Sequence, residues 1–219
     1  RLQPDGTLFC PPGALSFHET MVLVGHWEDH GRLRWEASSR VVLEPDRSTR
    51  GAVEGAVAEM PDGRFLMVLR GSNAGNLALP GHKWYCVSDD GCRTWDAPRP
   101  WNYSDGAPFH SPSSYSTILA HSSGRFYWVG NICAANPEGN GPDYPVYVGT
   151  IDPERLLLQR DGLLELDACR PDDPAPVHLR NFSVYEERSS GDLVLRMTRL
   201  WVDPAGHMRG DAHRYRIRP

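Results

Sequence analysis

Long apolar runs are missing from this 219-residue chain. Nowhere do about 18 apolar residues follow one another, so no membrane-spanning helix is expected. An excess of positive charge is missing as well. Lys and Arg total 23 against 28 Asp and Glu, a net charge of -5, which removes the electrostatic reason to expect nucleic acid or an anionic membrane as partner. The N-terminus lacks the basic-then-apolar pattern of a signal peptide, although a chain that begins at Arg1 leaves a removed leader open. Cysteines number only five (Cys10, Cys86, Cys92, Cys133 and Cys169), odd in count and irregular in spacing, which fits neither a disulfide framework nor a zinc site. Cys86 and Cys92 flank one tight turn and could meet across a hairpin, but buried, inert thiols are the preferred reading. The histidines show no metal-ligand spacing, since His26 and His30 fall in a turn rather than on a helix face, so neither metal nor cofactor is expected.

Helical pattern is also scarce. Only residues 152–160 offer it, with Asp152 as N-cap and Pro153 in the first turn, and an irregular sheet edge fits that stretch equally well. What the chain does have is 19 prolines, 21 glycines and 40% hydrophobic residues, the composition of a turn-rich, all-β globular protein. Its length suffices for a full core in one domain or two.

Turn signals recur along the chain. Pro61-Asp62-Gly63-Arg64 leads into the apolar run Phe65–Leu69, Ser122-Ser123-Gly124-Arg125 into Phe126–Val129, and Ser189-Ser190-Gly191-Asp192 into Leu193–Leu195. Each is preceded by another strand-like run, at 55–59, 114–120 and 182–186, so three hairpins are expected. Such spacing, longer than a minimal four-stranded unit, points to repeated β blades with long loops. The segment Ser88-Asp89-Asp90-Gly91-Cys92-Arg93-Thr94-Trp95 adds a tight acidic turn with an aromatic anchor. A weaker copy, Glu28 to Trp35, keeps Asp29, Gly31 and Trp35 and predicts a further blade over about 8–45, with 20–25 as one strand.

Ser88, Asp90, Thr94 and Trp95 resemble the Asp-box, S-x-D-x-G-x-T-W, of the sialidase (neuraminidase) superfamily, with Cys92 where glycine is usual. In that pattern the aspartate folds back on backbone N–H groups of its own turn and the tryptophan plugs between strands. The resemblance implies an all-β, sialidase-like β-propeller of four-stranded antiparallel blades, with residues 1–219 as a single, partial domain holding about four blades of six. Four blades leave open edges. The missing blades would come from a longer chain or from another chain, unless the ring is smaller. A secreted or periplasmic location and a carbohydrate substrate or ligand are also implied.

Site residues follow from the same resemblance, most specifically over residues 52–99. Glu54, before one strand, and Arg70, at the end of the next, resemble a superfamily glutamate that acts as base to a tyrosine nucleophile and an arginine of a carboxylate clamp. Arginine suits that task because its planar fork binds carboxylates at two points. A structural ion pair is the alternative. Asp143 stands where the superfamily carries a third clamp arginine, and an acid there repels a substrate carboxylate, which weighs against sialic acid. Asn181 stands at the nucleophile's position. Tyr185, by strand alternation on the same face as Asn181 and Ser183, is a substitute nucleophile, and Glu186 a base for it. Core packing is the alternative for Tyr185. His110 precedes an inner strand and could move protons; His18 with Glu19 is a lesser candidate of that kind. Asn131, with Asn136 and Asn140, could bond sugar hydroxyls or simply form turns. A paired-carboxylate mechanism drawing on Glu54, Asp143 and Glu186 remains available. The expected function is a glycoside hydrolase of exo-glycosidase type; the alternative is a non-catalytic sugar-binding or scaffold propeller.

Overall fold

The computed structural model describes residues 3–11 and 16–219; residues 12–15, within the expected first blade, lie outside the described residues. Four antiparallel sheets follow one another along the chain. The first is a two-stranded ribbon of β1 (Leu23–Trp27) and β2 (Leu33–Ala37). The second has the order β3 (Val53–Glu59), β4 (Phe65–Arg70), β5 (Lys83–Ser88), β6 (Arg99–Pro100). The third runs β7 (Thr117–Ala120), β8 (Phe126–Asn131), β9 (Val146–Asp152), β10 (Leu157–Leu158), with β11 (Leu164–Asp167) also on β9. The fourth is β12 (His178–Glu186), β13 (Leu193–Val202), β14 (Met208–Ile217).

Each expected hairpin forms, and its glycine explains why. Gly63, Gly124 and Gly191 take φ of 86°, 82° and 72°, a left-handed conformation that costs glycine little. β4 and β8 then lie between two packed layers, and their side chains alternate between these layers. Leu66 and Val68 join Phe126, Trp128, Trp101 and Phe109 in a core between the second and third sheets, whereas Met67 and Leu69 pack with Val41, Leu43 and Trp84. Tyr127 and Val129 point the other way, to a core with Leu179, Phe182, Leu193 and Leu195 of the fourth sheet. A sheet buried on both faces by its neighbours is what a stack of propeller blades requires. β7 contacts both β3 and β12, so the first strand of each of these three sheets is the innermost.

Several local expectations change. In the first sheet the strand covers Leu23–Trp27 rather than 20–25, because Thr20 pairs separately with Val41. β7 starts at Thr117, not 114, since the carbonyls just before it bond to side chains instead of a neighbouring strand. Residues 152–160 form no helix. Leu156 N–H bonds back to the Asp152 carbonyl at 2.8 Å, and Leu156 then takes φ of 63°, which ends the turn after one bond. In the 88–95 turn, Asp90 accepts from the N–H groups of Arg93 and Thr94, both at 2.9 Å, and from the Thr94 hydroxyl at 2.6 Å. These bonds hold the Asp90 carboxyl down at about 2. The five cysteines form no disulfide, Cys86 and Cys92 included.

Candidate functional site

The starts of the three inner strands converge on a cleft of about 470 Å3. Glu54, Tyr115 and Arg180 to Phe182 arrive from β3, the approach to β7, and β12 respectively, while Arg70 reaches it from the end of β4. Two β-bulges aim these groups. β3 shifts register between Val53 and Ala56, with Glu54 at φ 49°, and β12 shifts between Arg180 and Ser183, with Asn181 at φ 58°. Bulges re-aim side chains in this way at the ends and edges of sheets.

Glu54 and Arg70 face each other. Nη2 of Arg70 donates to Oε1 at 3.0 Å and Nε lies 3.0 Å from Oε2, a two-point contact. The third edge of the guanidinium is also occupied, since Nη1 donates to the Ser113 carbonyl at 2.7 Å. Burial lowers the Arg70 pKa, and the nearby Glu54 charge opposes that shift. Arg70 is largely buried, whereas the Glu54 side chain is 47% exposed, so its carboxylate is the accessible half of the pair.

Asp143 lines the cleft although it is almost wholly buried. His178 Nδ1 lies 2.9 Å from its Oδ1, and Arg180 Nε lies 3.5 Å from Oδ2. The acid that replaces an expected arginine is thus countered by a guanidinium on the next blade. Asn181 is exposed at the bulge and lines the cleft, as does Asn140.

Six expected site residues lie elsewhere. Asn131 is fully buried; its amide donates to the Asp143, Pro145 and Leu179 carbonyls at 2.7, 3.3 and 3.3 Å, fastening the third sheet to the fourth. Asn136 likewise serves the backbone, accepting from Gly81 N–H at 2.7 Å. His110 forms a backbone bridge with Cys133 and does not line the cleft. Tyr185 lies outside the cleft, beneath the Arg196 guanidinium at 5.5 Å. It shares the more exposed face of β12 with Asn181 and Ser183, as alternation predicts, but it stands four residues further along the strand than Asn181 and does not line the cleft. Glu186 sits at the other end of β12, where Ser122 N–H at 2.8 Å and the Ser122 hydroxyl bind it and lower its pKa. Glu54, Asp143 and Glu186 therefore do not converge. His18 binds Ser16 Oγ at 2.7 Å, and burial lowers its pKa. Among the described residues no cluster of His, Cys, Asp or Glu could hold a metal ion.

Tyr115 and Arg180 were not singled out by the sequence. The Tyr115 hydroxyl donates to the Phe182 carbonyl at 2.7 Å and its ring leans on Phe182 at 4.9 Å. Burial raises its phenol pKa, and the nearby Glu54 charge adds to the rise. A signal did exist, because both residues lead into inner strands as Glu54 does.

The blade stack and the cleft at its inner strand ends find counterparts among solved structures. An intramolecular trans-sialidase from Ruminococcus gnavus superposes with a TM-score of 0.56 at 14% identity, over 86% of this chain and 36% of that one. The fold is that of the sialidase-like β-propellers. A variant of the NanB sialidase from Streptococcus pneumoniae gives 0.54 at 15% identity, over 83% of this propeller and 24% of that chain. An N-acetylgalactosamine deacetylase from F. plautii gives 0.52 at 15%, over 83% and 53%. This propeller thus spans from about a quarter to about half the length of these chains. No protein-family model matches it, and no curated protein matches it in sequence. At these identities the likeness concerns the fold; the site must be argued from its own residues.

Proposed function

We propose that the cleft is a carbohydrate site of glycoside-hydrolase type, in which Glu54 is the acid–base group and Arg70 its positioning partner. The observation that carries this reading is the Glu54–Arg70 pair, with its carboxylate exposed at the meeting point of three inner strands. A carboxylate held by a buried guanidinium keeps a defined orientation toward anything that enters the cleft. Arg180, Asn181, Asn140 and the Tyr115 ring supply the mixture of donors, acceptors and aromatic surface that sugar hydroxyls and C–H faces require. Two of the solved relatives, the trans-sialidase and the deacetylase, were captured with oseltamivir carboxylate and with blood group B trisaccharide respectively, which fits a sugar-directed cleft.

A neutral, poly-hydroxylated sugar suits this cleft better than sialic acid. Arg70 already turns Nη1 to the Ser113 carbonyl and Nη2 to Glu54, and Asp143 adds negative charge beside Arg180. The same occupancy favours a second reading, a binding module without catalysis, because the Glu54 carboxylate is already engaged by Arg70.

Hydrolysis of a panel of neutral aryl glycosides and the sialoside separates the readings. For the enzyme, Glu54→Gln should lower kcat by about 10²–10⁴-fold with an unchanged melting temperature. Absence of hydrolysis with sugar-induced thermal stabilisation supports the binding module. Neither hydrolysis nor stabilisation across the panel defeats both.

A further inference from the structure

Lys83 is the chain's one lysine; every other position in its total of 23 Lys and Arg is arginine. It is also fully buried, a rare state for an ammonium unless its donors are met. They are met by one short segment. Nζ lies 3.1 Å from the Pro112 carbonyl and 3.3 Å from Ser114 Oγ, and it also contacts the Ser114 carbonyl. Arg70, its register partner across β4 and β5, takes the intervening Ser113 carbonyl at 2.7 Å. Two adjacent cations of one blade therefore grip three consecutive carbonyls of the next. That segment is the cleft wall that carries Ser113, Ser114 and Tyr115.

We propose that Lys83 is a positioning residue of the cleft, whose ammonium clamps the 112–114 wall so that Tyr115 is held in place and ligand binding depends on the proton at Nζ. The inference rests on the cleft being the sugar site proposed above. The charged groups around Nζ are Arg70 from β4 and Glu54 from β3, and the other titratable group is the Cys133 thiol from the loop after β8. Burial, aided by Arg70, brings the Lys83 pKa down to about 7, against the weaker opposing effect of Glu54. Cys133 itself is pushed up to about 11 by burial, so its thiol does not titrate in the same range. Loss of the proton removes one of three donors and the charge assistance from the others. An arginine could not substitute for this behaviour, because its guanidinium stays charged.

A single lysine makes the test direct. In the 219-residue chain labelled with 13Cε-lysine, one signal should titrate near pH 7 when folded and return to the ordinary lysine range in denaturant. Protection of the Ser113 and Ser114 amides, which bond to the Gly139 and Pro112 carbonyls at 2.6 and 2.7 Å, should fall through the same interval after correction for intrinsic exchange. Lys83→Met should show low protection at every pH. For whichever panel sugar binds the wild type, affinity at pH 6 should drop about tenfold in Lys83→Met, with no further change to pH 8.5. Folded-state titration near pH 10, amide protection that ignores pH, or wild-type affinity in Lys83→Met would overturn the proposal. Should no panel sugar bind at any pH, the sugar reading of the cleft fails, and the titration and protection data still decide the clamp. Should Lys83→Met not fold, those two measurements on the wild type decide it.

Discussion

Asp167→Asn should loosen the joint between the third and fourth blades. Asp167 ends β11, and its carboxylate receives Arg199 from β13, Tyr215 Oη from β14, and Arg170 Nη2 at 3.1 Å. The Asp167 and Arg199 side chains are only 2% and 5% exposed, so the pair cannot fall back on water. Removing one partner of a buried pair typically costs about 3–5 kcal/mol. Here the lower figure applies, because Arg199 keeps both oxygens of Asp173 at 2.7 Å. At about 2–4 °C per kcal/mol for a chain of this size, about 3 kcal/mol lowers the melting temperature by about 6–12 °C. Acid sensitivity gives a second reading. Burial raises the Asp167 pKa, yet the bonds from Tyr215 and Arg199 outweigh it and the net shift is downward. The unfolded state therefore binds the proton more readily, and the contribution is complete above the unfolded carboxylate value near 4 and fades as pH falls through the folded value. Thermal denaturation from pH 7 to pH 2.5 should show wild type and Asp167→Asn converging in acid. A melting temperature within about 1 °C of wild type at pH 7, or a gap that persists undiminished at the lowest pH, would refute the reasoning. A cycle with Arg199→Met should return a coupling of about 1–3 kcal/mol.

Two further expectations concern the core. A Cβ at Gly130 would lie 2.2 Å from the fully buried Trp128 ring, so Gly130→Ala should destabilise by about 1–3 kcal/mol and shift tryptophan emission, as read by fluorescence-monitored denaturation. Burial pushes the Cys86 thiol to about 12 and Cys133 to about 11, so at pH 8 a thiol reagent followed by peptide mapping should modify exposed Cys10 long before either. Early modification of Cys86 in the folded protein would contradict its burial.

Much of the fold was legible because its signals are local. Gly63, Gly124 and Gly191 each follow a short polar turn and precede apolar runs, and a left-handed turn position needs no knowledge of distant contacts. Thr117–Ala120 came out shorter than expected because its approach is bonded to Arg70 and Lys83 of another blade, which nothing within the segment announces. Within the candidate site, the meeting of Glu54 and Arg70 was legible because a turn brings their two strand ends together. The expectation failed at Tyr185, which lies on the face that alternation assigns it but too far along β12 to line the cleft, a distance that a two-residue period does not specify. Glu186 failed likewise, since it belongs to the far end of a strand whose near end lines the cleft.

By itself, then, the order of residues determined the β architecture and the hairpins, since periodicity and turn chemistry act over a few residues. Tertiary structure alone decided which polar groups face the cleft. Asn131, Asp143 and Lys83 are all polar residues near strand ends, yet one fastens two sheets, one borders the cleft and one grips its wall. Those roles follow from which carbonyls and charges the neighbouring blade presents, and a buried polar group is defined by the partners that satisfy it.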